Sequence, residues 1–135
     1  MAITSAICNS FKQEILEAEH NFTASTGNTF NLALYDSSAD LSKTTTAYTT
    51  SEELATTGGY TAKGKALTSV TPVLSTDTAI CDFDNESWTS ATFTARGLLL
   101  YNSTNITGFT NERAILAINF GGDKTVTSGT FTIEF

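Results

Sequence analysis

Basic residues are scarce in this chain of 135 residues, which has seven Lys and Arg against 14 Asp and Glu and a net charge of −7. Nucleic-acid-binding proteins rely on clustered Lys and Arg to neutralise phosphates. The seven bases here are scattered, so the composition argues against a nucleic-acid partner. An acidic surface favours solubility, and it also complements a basic patch on a protein partner.

Long hydrophobic runs and cysteine motifs are also lacking. No stretch approaches the roughly 20 apolar residues that cross a membrane. The opening MAITSAICNSF lacks the basic start and apolar run of a secretion signal. Cys8 and Cys81 are the only cysteines, and their separation fits no metal motif. We therefore expect synthesis in a cytoplasm, no membrane association and two buried free thiols.

The sequence also lacks the usual signs of catalysis. His20 is the sole histidine, so one chain cannot build a histidine-based metal cluster, and its place just past a predicted helix suits a simple cap. No G-x-S-x-G, glycine-rich phosphate loop or H-E-x-x-H motif occurs. The sequence predicts no enzyme, no catalytic residue and no cofactor.

One acidic segment, DFDNES, resembles a cation site in composition alone. Asp82, Asp84 and Glu86 alternate along it and offer the carboxylate oxygens that calcium prefers. The glycine-turned loop of an EF-hand is absent, so a solvated turn is favoured over a structural calcium site.

What the chain does have is strand-like alternation. Apolar residues make up 40% of the sequence and charged residues 16%, which is ordinary for a globular protein. The length suits one domain, residues 1–135, with a true core. The segment 82–101, DFDNESWTSATFTARGLLLY, predicts a long strand rich in threonine. The residues expected to share one of its faces are Phe93, Ala95, Gly97, Leu99 and Tyr101. Arg96, on the other face, is expected to pair with a carboxylate inside the sheet or across a subunit boundary.

A single helix is predicted over residues 5–19, where Ile7, Phe11 and Ile15 recur at helical spacing. Thr4 or Ser5 is the expected N-cap. The acidic face of this helix is interpreted as exposed to solvent. The alternative is that it docks onto basic residues of a neighbouring subunit.

Further strands are predicted from alternation and turn signals. They cover 28–35, a weak strand within 60–67, a hairpin of 70–75 and 78–83 with Pro72 at an edge or bulge, and 114–120 and 129–135 joined by a turn at 121–123. Polar loops are expected at 36–50 and 102–113. The predicted fold is mainly β, an antiparallel β-sandwich of jelly-roll-like or immunoglobulin-like type, preceded by one N-terminal α-helix.

Three aromatic residues are candidates for contact with a ligand. Tyr48 and Tyr60 stand in polar segments and are expected to be exposed. Trp88 is either a sugar-stacking or interface platform or, as the favoured interpretation, part of the core.

Several blocks of the sequence together resemble a family of small virion structural proteins of tailed bacteriophages, of the marine and cyanobacterial type. These blocks are MAITSAICNSFKQEILEAEHNF, NTFNLALYDSSADLSKTTTAYTTSEE, TGGYTAKGKAL, DFDNESWTSATFTARGLLLYNS and NFGGDKTVTSGTFTIEF. They cover nearly the whole chain. The family lends no catalytic residues.

The resemblance implies a non-enzymatic protein assembled in a bacterial host and carried in the virion. The preferred role is a capsid decoration or cement protein, a homo-oligomer and preferably a homotrimer, bound to the major capsid protein or another virion protein. The expected interface residues lie near the two ends of the chain: Ile3, Ile7, Phe11, Ile15, Phe131 and Phe135. The N-terminal ones would act by apolar packing and the final strand by pairing. The alternative is a tail, neck or fibre-associated structural component, which in one form binds a host surface glycan through Tyr48, Tyr60 or Trp88.

Overall fold

The computed structural model describes residues 2–108 and 111–135. The fold is mainly β, with antiparallel strand pairing within its sheets and one short helix near the N-terminus, as predicted. In chain order the elements are β1 (Ala6–Ile7), α1 (Asn9–Leu16), β2 (Phe30–Tyr35), β3 (Lys65–Ala66), β4 (Ser69–Ser75), β5 (Thr78–Phe83), β6 (Glu86–Asn102) and β7 (Arg113–Ile133). No helix within the described ranges is long and apolar enough to cross a membrane.

Five strands form the main sheet, in the order β1-β7-β6-β2-β3, and β4 and β5 form a separate hairpin. The β2 alternation predicted from the sequence is confirmed. Phe30, Leu32 and Leu34 enter a core cluster on one face of the sheet, whereas Ala33 and Tyr35 enter a second cluster on the other face. The sheet is thus covered on both sides, because side chains alternate along a strand.

The predicted turn at 121–123 is wrong. Residues 113–133 form one continuous strand, and residues 120–123 bulge out opposite Arg96 of β6. Gly121 has a φ of +79°, a conformation that glycine adopts readily, and Asp123 Oδ1 accepts a hydrogen bond of 2.7 Å from Arg96 Nε. The bulge bends a ribbon instead of ending a strand. The carboxylate partner expected for Arg96 is therefore confirmed within the sheet.

Because of this bulge, the prediction that five residues of 93–101 share one face is wrong. Ala95 belongs to the first core cluster together with Leu98 and Leu100, whereas Leu99 and Tyr101 belong to the second. A register shift between Ala95 and Gly97 moves all later side chains to the opposite face.

Beyond the bulge, the β6–β7 ribbon folds back over the sheet. Phe131 and Ile133 pack against the cluster that contains Leu32 and Leu98. The ring of Phe120, at the start of the bulge, lies 6.2 Å from that of Phe131, which follows the bulge in β7. Both halves of one long ribbon therefore contribute to a two-layered, sandwich-like arrangement.

The N-terminal segment is less helical than predicted. Residues 6–7 pair with β7 as an edge strand, and α1 covers only 9–16. Cys8 is the N-cap and makes no side-chain capping bond, so the expected caps at Thr4 and Ser5 are wrong. Pairing to the edge of the sheet overrides the helical periodicity of residues 5–8 because this segment gains backbone hydrogen bonds to β7, among them Cys8 N–H to the Ile115 carbonyl at 2.8 Å.

The remaining expectations are mostly confirmed. The hairpin of β4 and β5 forms as predicted, with a register shift around Pro72. The weak strand in 60–67 is reduced to β3. Residues 36–50 are irregular, as is 103–108, while residues 109–110 of the second predicted loop lie outside the described residues. Cys8 is buried as expected, but Cys81 is exposed on the hairpin, so that part of the thiol prediction is wrong.

Candidate interaction groove

An apolar groove runs along the face of the main sheet that carries the cluster with Leu32 and Leu98. It lies where the folded-back β6–β7 ribbon does not cover that face. It consists of two adjoining cavities of about 510 Å³ each that share Leu100, Leu116 and Phe135. The side chains that line the first cavity are Ile7, Phe11, Ile15, Phe22, Pro72, Ala79, Ile80, Cys81, Phe83, Leu100, Ile115, Leu116 and Phe135. The second is lined by Leu32, Leu98, Leu100, Leu116, Ile118, Phe120, Thr132, Ile133, Glu134 and Phe135. We call both cavities together the apolar groove.

One wall of the groove is α1, which a buried polar cluster holds in place. Glu14 Oε2 lies 2.7 Å from His20 Nε2, and Asn102 Nδ2 lies 3.1 Å from His20 Nδ1. Because the Asn102 amide donates, Nδ1 accepts and the proton sits on Nε2, which donates to Glu14. The pKa of His20 is lowered, chiefly because burial disfavours the charged ring.

An ion pair between Arg113 and Glu19 completes the cluster. Arg113 Nε lies 3.4 Å from Glu19 Oε2, and its Nη2 donates to the Glu19 carbonyl at 3.1 Å. Both side chains are almost completely buried. Burial raises the pKa of Glu19, and the charge of Arg113 opposes that rise. These bonds tie the segment after α1 to the first residue of β7, so the wall has a defined position on the sheet.

The opposite wall is the hairpin, which aromatic side chains join to the sheet. Phe22 stacks on Phe30 with ring centroids 4.4 Å apart, and Phe83 of β5 lies 5.7 Å from Phe30. Phe135 follows at 5.3 Å from Phe83, and its backbone N–H donates to Asn85 Oδ1. Edge and stacked aromatic contacts of this kind stabilise by about 0.5–1.5 kcal/mol each.

Four of the six predicted interface residues meet in this groove. Ile7, Phe11 and Ile15 line it from the N-terminal side and Phe135 from the other end of the chain. The other two are elsewhere. Ile3 is buried in the second cluster, so the expectation that it contacts a partner is wrong. Phe131 packs against Phe93 at 5.2 Å and is half-buried.

The groove also contains residues that sequence reasoning did not select. Ile80 and Cys81 come from the hairpin, and Leu100 and Leu116 come from adjacent strands of the sheet. Their apolar character was visible, but apolar residues in strands usually pack in the core. The exposed fraction of Ile80, 41%, is a property of the assembled fold.

The candidate contact aromatics are not exposed as a group. Tyr60 and Trp88 are each only 2% exposed, so the expectation of exposed contact is wrong for Tyr60, and the favoured core interpretation is confirmed for Trp88. Tyr48 is half-buried, stacked on Tyr101 at 4.9 Å. Its hydroxyl and that of Tyr60 both donate to Glu53, which turns these polar tips inward.

The acidic segment is dispersed by the fold. Asp82 lies near the C-terminal end of β5, where its Oδ1 accepts a hydrogen bond from the Phe83 N–H. Glu86 begins β6 and forms an ion pair with Lys65 at 2.9 Å. Asp84 is exposed between the two strands. Among residues 2–108 and 111–135, no three His, Cys, Asp or Glu side chains gather closely enough to hold a metal ion.

The two thiols differ in setting. Burial raises the pKa of Cys8 to about 11, which keeps it protonated and unreactive at neutral pH. Cys81 is accessible and lines the groove.

Comparison with protein-family models, with curated proteins and with solved structures returns no match for this chain.

Proposed function

We propose that this protein is a non-enzymatic structural subunit of a tailed-phage virion, and that it decorates or cements the head by contact with the major capsid protein. The observation that carries the structural role is the apolar groove. It is open, it is lined by residues from both ends of the chain, and it resembles an interface more than a site for chemistry. The phage assignment comes from the family resemblance of the sequence blocks.

The exposure of apolar side chains supports a protein-binding role. Leu16 is 87% exposed, Leu74 of the hairpin 73% and Val73 56%. Soluble monomers rarely leave large contiguous apolar patches in water, and such patches commonly mark interfaces. In a subunit that is bound to a particle, the partner protein would cover these side chains.

The alternative is a tail, neck or fibre component. Its glycan-binding form has lost support, because Tyr60 and Trp88 are buried and present no ring to a sugar. A tail or neck position without glycan binding would use the same groove, so the location in the particle decides between the two roles.

The deciding experiment is immunogold electron microscopy of intact particles with an antibody against this chain. We expect gold distributed over the head. Gold confined to the tail or neck would replace decoration by a tail role, and particles without gold, together with absence of the chain from purified virions by mass spectrometry, would overturn the virion assignment.

A further inference from the structure

The charges around the apolar groove indicate which kind of partner binds there. We propose that the groove binds a segment of another polypeptide that inserts apolar anchor side chains and carries Lys or Arg beside them. This inference rests on the proposed function, because the segment would belong to the protein on which the subunit is mounted.

The groove is large enough for several side chains and has an apolar floor. Its two cavities of about 510 Å³ each adjoin at Leu100, Leu116 and Phe135. Ile7 and Ile15 stand in its wall at 51% and 44% exposure. Removing an aliphatic side chain of this size from water is favourable, so each covered anchor adds to affinity.

The elements that surround the groove are acidic. The helix α1, the hairpin residues 69–83 and the last two residues 134–135 together contain one base, Lys12. Against it stand four acids, Glu14, Asp77, Asp82 and Glu134, of which Glu14 is largely buried and accepts a hydrogen bond from His20.

Bases elsewhere on the molecule are largely engaged and offer no compensation. Lys63 pairs with Glu112 at 2.7 Å, and Lys65 pairs with Glu86. Arg96 pairs with Asp123 across the bulge. An apolar floor within an acidic setting is complementary to apolar anchors flanked by positive charge.

The same charges disfavour a second copy of the chain as the occupant. Two grooves facing each other would bring two acidic surroundings together. The net charge of −7 adds repulsion at longer range. Like charges across an interface suppress a partner, so a basic heterologous segment fits better.

The test uses a short synthetic peptide in which Leu and Phe alternate with Lys and Arg, and a counterpart with Glu in place of each base. The peptide is titrated by calorimetry into the full chain. We expect the basic peptide to bind at least about tenfold more tightly than the acidic one. Its affinity should fall several-fold between about 50 and 300 mM salt.

Neighbouring residues give matched controls. Ile15→Ser removes a groove side chain, whereas Leu16→Ser removes a more exposed apolar side chain that does not line the groove. We expect Ile15→Ser to weaken peptide binding about tenfold or more, and Leu16→Ser to change it less than about twofold. Ile80→Ser and Leu74→Ser form the same kind of pair on the hairpin. Circular dichroism checks that each variant is folded.

A charge control separates the groove from general acidity. Glu134→Gln should weaken binding of the basic peptide, and Asp40→Asn, an exposed acid outside the groove, should not. The accessible Cys81 gives a readout in the native chain, because the bound peptide should slow its alkylation.

The results distinguish failure of this inference from failure of the proposed function. Equal binding of both peptides, or equal effects of Ile15→Ser and Leu16→Ser, would overturn the groove inference while gold on the head left the virion role intact. A self-association that Ile15→Ser abolishes would assign the groove to a second copy and also overturn it. Particles without the chain would overturn the virion role whatever the peptide does.

Discussion

The Tyr60 hydroxyl forms two hydrogen bonds, one as donor and one as acceptor. It donates to Glu53 Oε1 at 2.6 Å and accepts from the Leu34 N–H at 3.0 Å. Glu53 also accepts from the Tyr48 hydroxyl and from the backbone N–H of Lys63. One carboxylate thus ties three loop segments to β2. Burial and this acid together raise the pKa of Tyr60, which stays protonated and able to donate.

Replacing Tyr60 by Phe should therefore destabilise the fold. The change leaves the Leu34 N–H without its acceptor in the core and removes one donor to Glu53, at an expected cost of about 1–3 kcal/mol. Urea unfolding monitored by Trp88 fluorescence measures it. The control is Thr94→Ala, which removes an exposed hydroxyl pair with Thr125 and should cost under about 0.5 kcal/mol. Equal losses in the two variants would contradict this role for Tyr60.

His20 predicts a pH dependence of stability with a definite sign. The pKa of His20 in the folded state is lowered below its ordinary value of 6.5, mainly by burial and also by the charge of Arg113. Between the two values the unfolded chain binds more protons, so acid favours unfolding. The stabilisation is complete above about pH 6.5 and is lost as the pH falls below it towards the folded-state pKa.

The comparison variant is His20→Gln, whose amide nitrogen replaces Nε2 as the donor to Glu14. Denaturation midpoints from pH 8 to 5 should fall more steeply for the native chain than for the variant. Glu19, whose pKa is raised by burial, is present in both proteins, so the comparison isolates the change at His20. Parallel curves would show that His20 does not titrate differently on unfolding.

At the scale of elements, the turn before β3 depends on Gly64. Its φ is +71°, and a Cβ there would lie 1.8 Å from the Leu32 carbonyl oxygen. Gly64→Ala combines left-handed backbone strain with a clash against β2, and we expect a loss of about 2 kcal/mol or more. Gly122→Ala, in the open bulge with no atom within 4 Å of the added Cβ, is the control and should be nearly neutral in thermal unfolding.

The hairpin of β4 and β5 is expected to be the least stable pair of strands. Residues 70–81 are all exposed, and the two strands pair only with each other in the described structure. An isolated two-stranded hairpin is marginal in water. In hydrogen exchange followed by mass spectrometry, amides of β4 and β5 should exchange much faster than those of β2. Protection equal to that of β2 would contradict this expectation.

At the scale of elements, local pattern predicted strands better than it predicted their ends and faces. Alternation placed β2 and the hairpin, because both depend on neighbours in sequence. The helix over 5–19 shortened to α1 because residues 6–7 gain a strand partner in β7. The bulge opposite Arg96 moved Leu99 and Tyr101 to the other core cluster. At this bulge β7 advances by five residues while β6 advances by two, and no local pattern in either segment indicates that difference.

At the scale of the whole molecule, the expected homotrimer stays a prediction. Light scattering coupled to size exclusion measures it directly, since the trimer has three times the chain mass of 14.4 kDa. A trimer that survives Ile15→Ser would assemble through a surface other than the groove, for example the part of the edge of β7 that β1 does not pair with. A constant monomer mass up to high concentration would contradict the trimer.

The sequence by itself determined the class of the fold, its acidic surface and most strand positions, because alternation, turn residues and charge are properties of neighbouring residues. It also pointed to Ile7, Phe11, Ile15 and Phe135 as contacts, from their positions near the chain ends. Only the tertiary structure decided that these four line one groove, that Tyr60 turns inward and that Ile3 is buried. The reason is that exposure depends on which distant segment covers a face, and here the folded β6–β7 ribbon covers one part of the sheet and leaves the rest open.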